Sequence, residues 1–274
     1  IGLAIVRRCL LDHEDTQCIL GCRSKQRGEE AVAGLAQECE SWRARLTVLE
    51  LDTSSDASVE AAAEALTREL GREEQARLYA IVNNAGIAYG SPSEVLQTNV
   101  YGPHRVDAAF LPLLDPACGR IVNISSGAGP RCVQSSTPER ASFFTNPCVT
   151  WPGIVAVMDE LLALPEHTRE SLKKLGIGSM KGPGDACYGV SKALLNCYTV
   201  QMARDHPHLK INACSPGAIA TDLFSSFPCA CLLRCLTKTP DQGTVAPMHL
   251  IFGELEGNGC FYHKSARKTP LDKY

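Results

Sequence analysis

Tyr188 and Lys192 stand four residues apart in the stretch Cys187-Tyr188-Gly189-Val190-Ser191-Lys192-Ala193-Leu194-Leu195, which reads as a helix. Residues at i and i+4 share one helix face, so a phenol and an ammonium are set to point into the same pocket. A nearby cation favours the phenolate and lowers a tyrosine pKa from its ordinary value of about 10. A tyrosine tuned in that way is a general acid for carbonyl reduction near neutral pH. The same spacing also suits a solvated helix face, so the chemistry depends on whether the rest of a nucleotide site falls in the right places.

Those places are strand ends. Strands are expected at 16–21, 45–51, 78–82, 120–124 and 210–214, with an edge strand at 259–263. Helices are expected at 1–11, 25–41, 56–70, 93–114 and 188–204. A further helix starts at Thr239-Pro240-Asp241-Gln242, where a capping Thr is followed by Pro and by Gln three residues on. Strands alternating with helices, with nearly continuous apolar strands, predict an α/β fold: a doubly wound parallel sheet covered on both faces. Ligands bind such sheets beyond the carboxyl ends of the strands. Asp52, Asn83, Ser126 and Pro216-Gly217 all lie at those ends, on four separate strands. From 130 to 184 the pattern is irregular, with one helical piece near 154–163.

The chain has 274 residues, 45% hydrophobic and 21% charged, with a net charge of -3. That suits one domain over 1–274 with a full core. Slight acidity argues against nucleic acid or an anionic membrane as partner. No apolar run approaches the roughly 18 residues that cross a bilayer, and no signal-peptide pattern opens the chain. Fourteen cysteines are present, several in apolar stretches (Cys18, Cys187, Cys197, Cys214), where a free thiol acts as a small hydrophobe. A disulfide framework is not expected in a long chain without a secretory signal. Cys229, Cys231 and Cys235 lack the second pair or the His that a zinc site needs, so no metal is expected.

With these residues in place, the chain resembles the short-chain dehydrogenase/reductase superfamily, a Rossmann-type fold. Asn83-Asn84-Ala85-Gly86, Asn99, Ser126 and the Tyr188/Lys192 pair match its signature in order, and Ser215-Pro216-Gly217 with Thr221-Asp222 matches the loop over the nicotinamide. The long separation of Ser126 from Tyr188, an insertion at about 130–184, is similar to the carbonyl reductase subgroup, which includes monomeric ketone and aldehyde reductases. The resemblance implies four catalytic residues. Tyr188 donates the proton, Ser126 binds the carbonyl oxygen, Lys192 lowers the Tyr188 pKa and holds the ribose, and Asn99 anchors a water. It implies cofactor contacts at Gly2, Arg23, Asp52, Thr53, Asn83, Ala85, Gly86, Tyr188, Lys192, Pro216, Gly217, Ile219 and Thr221.

After the strand at 16–21 stands Gly21-Cys22-Arg23, with no acid. A carboxylate there would repel a 2′-phosphate, whereas Arg23 can pair with one bidentately, so NADPH is the expected cofactor. The implied function is NADPH-dependent reduction of a ketone, aldehyde or quinone by a cytoplasmic monomer. Two other readings stay open: a non-catalytic relative serving as a scaffold, and an alcohol dehydrogenase working oxidatively. Trp151, Phe143, Phe144, Met180 and the stretch 223–227 either favour a hydrophobic carbonyl substrate or only pack the insertion. The family's phosphate loop, Thr-Gly-x-x-x-Gly-Ile-Gly, follows a central strand, and only Ile1-Gly2 of it is present. The expectation is a fragment whose upstream coding sequence supplies that strand and loop, or else a lost pyrophosphate cradle. As it stands, the sheet should be unpaired at its middle.

Overall fold

The computed structural model describes residues 1–71, 77–178, 186–221, 223 and 237–274. Met180, Asp222, residues 224–227 and the Cys229/Cys231/Cys235 group lie outside them.

Apolar residues at helical spacing form α1 (Gly2–Asp12), which buries Ala4, Ile5, Cys9 and Leu10. After β1 (Cys18–Cys22), α2 (Lys25–Glu38) begins at Ser24, whose hydroxyl accepts the Arg27 N–H. Strand β2 (Leu46–Glu50) leads to α3 (Asp56–Leu70), capped in the same way by Ser55. These side-chain oxygens satisfy N–H groups that have no partner within the helix. Strands β3 (Ala80–Asn83), β4 (Arg120–Ile124) and β5 (Lys210–Cys214) follow, and β4 and β5 are buried along nearly their whole length.

All strand pairs among β1–β5 are parallel, but they form two sheets. One is β1-β2; the other runs β3-β4-β5-β6-β7, where β6 is Phe261–Tyr262 and β7 is Lys268–Thr269. The expected interruption at the middle is present. Ile19 and Gly21 of β1 and Ala80 and Val82 of β3 line one cleft of about 220 Å³, into which Leu66 and Phe110 also project. Apolar packing, not a backbone ladder, joins the two sheets. On one face Ile5, Leu10 and Trp42 pack with Val122, Ile124 and Leu250.

Four expectations are corrected. The helix expected at 93–114 is α4 (Pro92–Leu96), a π turn (Gln97–Tyr101), α5 (Gly102–Phe110) and a 3-10 turn (Leu111–Leu113). The interruption falls on Asn99, whose side chain is bound outside the helix, and wide turns of this kind often mark functional sites. The helical piece expected near 154–163 is α8 (Trp151–Leu162), but the rest of that stretch is not irregular: it holds α6 (Ala128–Gln134), α7 (Pro138–Phe144) and α9 (Arg169–Lys174). Thr137, Thr150 and Thr168 cap α7, α8 and α9, and α6, α7 and α9 are too short to show a clear period. The strand expected at the edge is not an edge, because β7 pairs antiparallel beyond β6. The reciprocal bonds expected between Thr239 and Gln242 form (3.1 and 3.3 Å), but they open a 3-10 turn (Asp241–Thr244) ahead of α11 (Val245–Phe252).

Helix α10 (Ala186–Asp205) runs through the core, with residues 187–199 all buried. Trp151 of α8 stacks on His104 of α5 at 3.8 Å and 10°, and meets Tyr198 of α10 edge-on at 5.6 Å. The inserted helices are thus docked on α5 and α10 by aromatic contact. No helix among the described residues is long and apolar enough to cross a membrane.

Beneath the strand ends lies a buried polar network. Asn83 Nδ2 donates to Asp107 Oδ1 (2.9 Å) and Asn123 Oδ1 (2.8 Å), and Asn123 Nδ2 donates to Thr199 Oγ1 (2.8 Å). Tyr198 Oη donates to Asp107 Oδ2 at 3.0 Å. Burial pushes the Asp107 carboxyl up to about 7, against the pull of the bonds from Asn83 and Tyr198. With a raised folded pKa, its contribution to stability is complete below the ordinary value of 3.8 and is lost as pH rises through about 7. We expect wild type to lose on the order of 1–4 kcal/mol over that interval and Asp107→Asn to remove the decline. Denaturant titrations at pH 5 and pH 8 check this, and an unchanged pH slope in the variant would refute it.

Candidate active site

Tyr188 and Lys192 do share one face of α10, and that face is buried: they are 6% and 4% exposed. The Tyr188 phenol is hydrogen-bonded to Ser126, just past the end of β4. Ser126 is the one partly exposed residue from 121 to 130, and its Oγ accepts the Ala128 N–H at 3.1 Å. Lys192 Nζ donates to the Ile124 carbonyl at 3.0 Å and lies 5.9 Å from the Tyr188 ring centroid. Ser126, Tyr188 and Lys192 therefore converge at one strand end.

The electrostatics differ from expectation. Burial raises the Tyr188 pKa, with the Ser126 hydrogen bond opposing it, so the expected lowering is not found. Burial also pushes Lys192 down to about 8. Desolvation outweighs the attraction between the two groups because both are enclosed, and the ammonium's own hydrogen bond goes to a backbone carbonyl.

Asn99 belongs to the same cluster. Its Oδ1 accepts the Ile87 N–H (2.9 Å), and its Nδ2 donates to the Ile87 carbonyl (2.9 Å) and to Ser191 Oγ (3.0 Å). Ser191 in turn donates to the Tyr188 carbonyl at 2.8 Å. The carboxamide thus ties the loop after β3 to α10, with its hydrogens engaged by protein. Gly86 sits where any side chain would intrude: a Cβ would lie 3.2 Å from Asn99 Oδ1 and 3.3 Å from Lys192 Nζ.

The loop after β5 supplies a second wall. Pro216 is buried, and Gly217 adopts φ +93°, a conformation costly for any residue with a side chain. Ile219 is 3% exposed and bridges Lys238, and Thr221 Oγ1 is 3.4 Å from the Ile219 carbonyl.

The remaining predicted cofactor residues gather at the carboxyl ends of β1, β2 and β3. Arg23 is exposed just past β1, close enough to Asp52 to help hold that carboxyl below its usual range; the larger cause is hydrogen bonding from Ser54. Thr53, Asn83 and Ala85 line the cleft between the sheets. Asn83's amide is turned into the core network, so its expected place in a ribose floor rests on its backbone. Gly2, at the start of α1, is pressed against Asn84: a Cβ there would lie 2.7 Å from Asn84 Nδ2. Sequence reasoning passed over Lys25 and Arg27. The first turn of α2 contains no acid and carries these two cations beside the positive end of the helix dipole. That inversion of the usual pattern was visible in the residues after the Ser24 cap. Among the described residues no cluster of His, Cys, Asp and Glu could hold a metal ion.

Residues 1–142 match the family model described as short chain dehydrogenase. The chain is 32% identical over 266 residues to "Carbonyl reductase [NADPH] 1" of Rattus norvegicus, covering 91% of this chain and 86% of that protein. The structure of salutaridine reductase from Papaver somniferum superposes with a TM-score of 0.74 at 23% identity, covering 95% of each chain. NADPH-bound carbonyl reductase from chicken fatty liver superposes with a TM-score of 0.65 at 24% identity, covering 98% of this chain and 93% of that one.

Gly86→Ala tests how tightly the cluster is drawn together. Crowding both Asn99 Oδ1 and Lys192 Nζ should destabilise the fold by roughly 1–2 kcal/mol. Thermal unfolding of the variant reads this directly. An unchanged Tm would show that the two side chains can move apart freely.

Proposed function

The chain belongs to the short chain dehydrogenase family, and on that premise we propose that it reduces a small carbonyl compound to the alcohol with NADPH. The observation that carries this reading is the enclosed trio at the end of β4: a tyrosine hydrogen-bonded to a serine, with a lysine beneath it. NADPH absorbance followed with a panel of ketones, aldehydes and quinones tests it, and the absence of turnover with all of them would overturn it.

The residues present suit such a cofactor. Gly2, Gly86 and Gly217 keep side chains out of the site's walls, where a Cβ would strike Asn84, Asn99 with Lys192, and Lys264. Arg23, Lys25 and Arg27 give an exposed cluster of positive charge beyond β1, suited to a 2′-phosphate. Asp52 is placed for the adenine edge, with Thr53, Asn83 and Ala85 beside it. Pro216, Gly217, Ile219 and Thr221 would close over the nicotinamide. When bound, the reduced nicotinamide supplies the hydride.

The chain's own residues manage the proton. Burial keeps the Tyr188 phenol protonated at neutral pH, so it is a competent acid rather than a phenolate. Ser126, the half-buried member, donates a hydrogen bond to the substrate oxygen as negative charge develops there. Tyr188 then delivers its proton to that oxygen. Lys192, charged below about 8, lies close enough to stabilise the phenolate left behind. Asn99 holds the Ile87 loop and α10 in register around it.

Trp151, Phe143 and Phe144 pack the inserted helices onto the core, the second of the two roles open to them from the sequence. The docking of α8 over α5 covers the helix face that oligomeric relatives are expected to pair through, which supports a monomer. Free cysteines packed in the core, Cys132, Cys187, Cys197 and Cys214 among them, are suited to a reducing cytoplasm.

Two substitutions separate the roles. Tyr188→Phe should lower kcat by about 10²–10⁴-fold while NADPH binding changes little, since only the proton donor is removed. Retention of wild-type rate would remove Tyr188 from the mechanism. Arg23→Asp should weaken NADPH by roughly 10- to 150-fold relative to NADH, the worth of a charge-assisted hydrogen bond. Fluorescence titration with both cofactors measures this ratio, and an unaltered preference would assign the phosphate to Lys25 and Arg27 instead.

A further inference from the structure

Tyr274 lies far from the signature residues in sequence, yet its ring rests on the loop that carries Ser126. A Cβ on Gly127 would fall 2.3 Å from Tyr274 Cε1 and 2.5 Å from Cδ1 and Cζ. The ring is held from two further sides, by the Arg131 guanidinium at 5.1 Å and the His263 ring at 4.9 Å. Its hydroxyl is 2.9 Å from Ser215 Oγ.

Ser215 is the junction between the two walls of the site. Its buried Oγ accepts the Gly127 N–H at 3.1 Å and the Gly217 N–H at 3.2 Å. A hydroxyl has two acceptor lone pairs and one proton. Both lone pairs are occupied, so the proton must point to Tyr274 Oη, which accepts it. The two N–H groups can only donate, so Ser215 Oγ anchors both loops, and Tyr274 Oη fixes which way the remaining hydroxyl proton points. Without that partner the Ser215 hydroxyl would be free to rotate, and its lone pairs would no longer be held towards the two N–H groups.

We propose that Tyr274 is a positioning residue that, through Ser215, locks the Ser126-Gly127 loop to the Pro216-Gly217 loop. This rests on the catalytic reading of those loops given above. Ser126 binds the substrate oxygen from one loop and the nicotinamide is covered by the other. The junction thus sets the distance between the hydride donor and the serine that holds the substrate oxygen, and Tyr274 itself touches neither reactant.

The test combines kinetics with stability. Tyr274→Phe keeps the ring and removes the acceptor, and Ser215→Ala removes the junction oxygen. Each should lower kcat by about 3- to 10-fold, the worth of one hydrogen bond, with little change in KM for the carbonyl substrate. The double variant should be no slower than Ser215→Ala alone, because the tyrosine acts only through the serine. A wild-type kcat in Tyr274→Phe, or losses that multiply in the double variant, would overturn the proposal. A stability cycle on the cofactor-free protein gives a second reading. Gly127→Ala should lower Tm clearly in wild type and only slightly in Tyr274→Ala, where the ring it strikes is gone. Equal losses in both backgrounds would also overturn the contact. If wild type itself turns over no carbonyl compound, the functional reading falls, while the stability cycle still decides whether Tyr274 braces the loop.

Discussion

A buried ammonium is the constraint on which the rest of this structure turns. Lys192 is 4% exposed, and its charge has one carbonyl, that of Ile124, as hydrogen-bond partner. A charge withdrawn from water demands close, fixed dipoles around it. The surroundings comply: Gly86 leaves room for its Nζ, Gly129 of α6 lets a second helix press on its backbone, and Asn99 stands across Gly86 from it. The π turn in the helix carrying Asn99 and the burial of α10 on every side both follow from assembling that pocket. The burial that makes the pocket also sets its chemistry, since it holds the phenol neutral and leaves the ammonium able to titrate near 8.

The site has two halves with different origins. The catalytic half is built on the five-stranded sheet and α10, braced by the Asn83–Asp107–Asn123 network below and by Ser215 above. The half fit for a nucleotide is divided, with Arg23 and Asp52 on the two-stranded sheet and Asn83 to Gly86 on the other. The proton transfer proposed for the first half would depend on rigid buried contacts. Cofactor recognition depends on how two separately hydrogen-bonded units face each other across a cleft.

Much of this was legible in the residues, for identifiable reasons. Strands such as Arg120–Ile124 and Lys210–Cys214 are short apolar runs ending in polar turns, a pattern with few alternatives. The convergence of Ser126, Tyr188 and Lys192 was legible because a shared site restricts residue type as well as spacing. Helices α6, α7 and α9 were not legible, because each is two turns or less, too short for an apolar period to emerge. Strand β7 is two residues long and carries no period at all. The direction of the Tyr188 shift could not be inferred either, since spacing shows proximity to a cation but not how completely both groups are enclosed. Tyr274 escaped notice for a related reason: its partners, Gly127 and Ser215, are joined to it only by the fold.

The separation of the two sheets has a consequence for how the molecule opens. Backbone bonds transmit cooperativity along a ladder, and no ladder crosses from β1 to β3. Amide hydrogens in β1 and β2 are therefore guarded by the grip of α1, α2 and α3 and by each other, not by the fate of β4 and β5. Strands held to a neighbouring sheet by side-chain packing alone open at a lower free energy than strands bonded on both sides. In isotope labelling the chain should show two protection tiers, with the boundary between them running along the cleft.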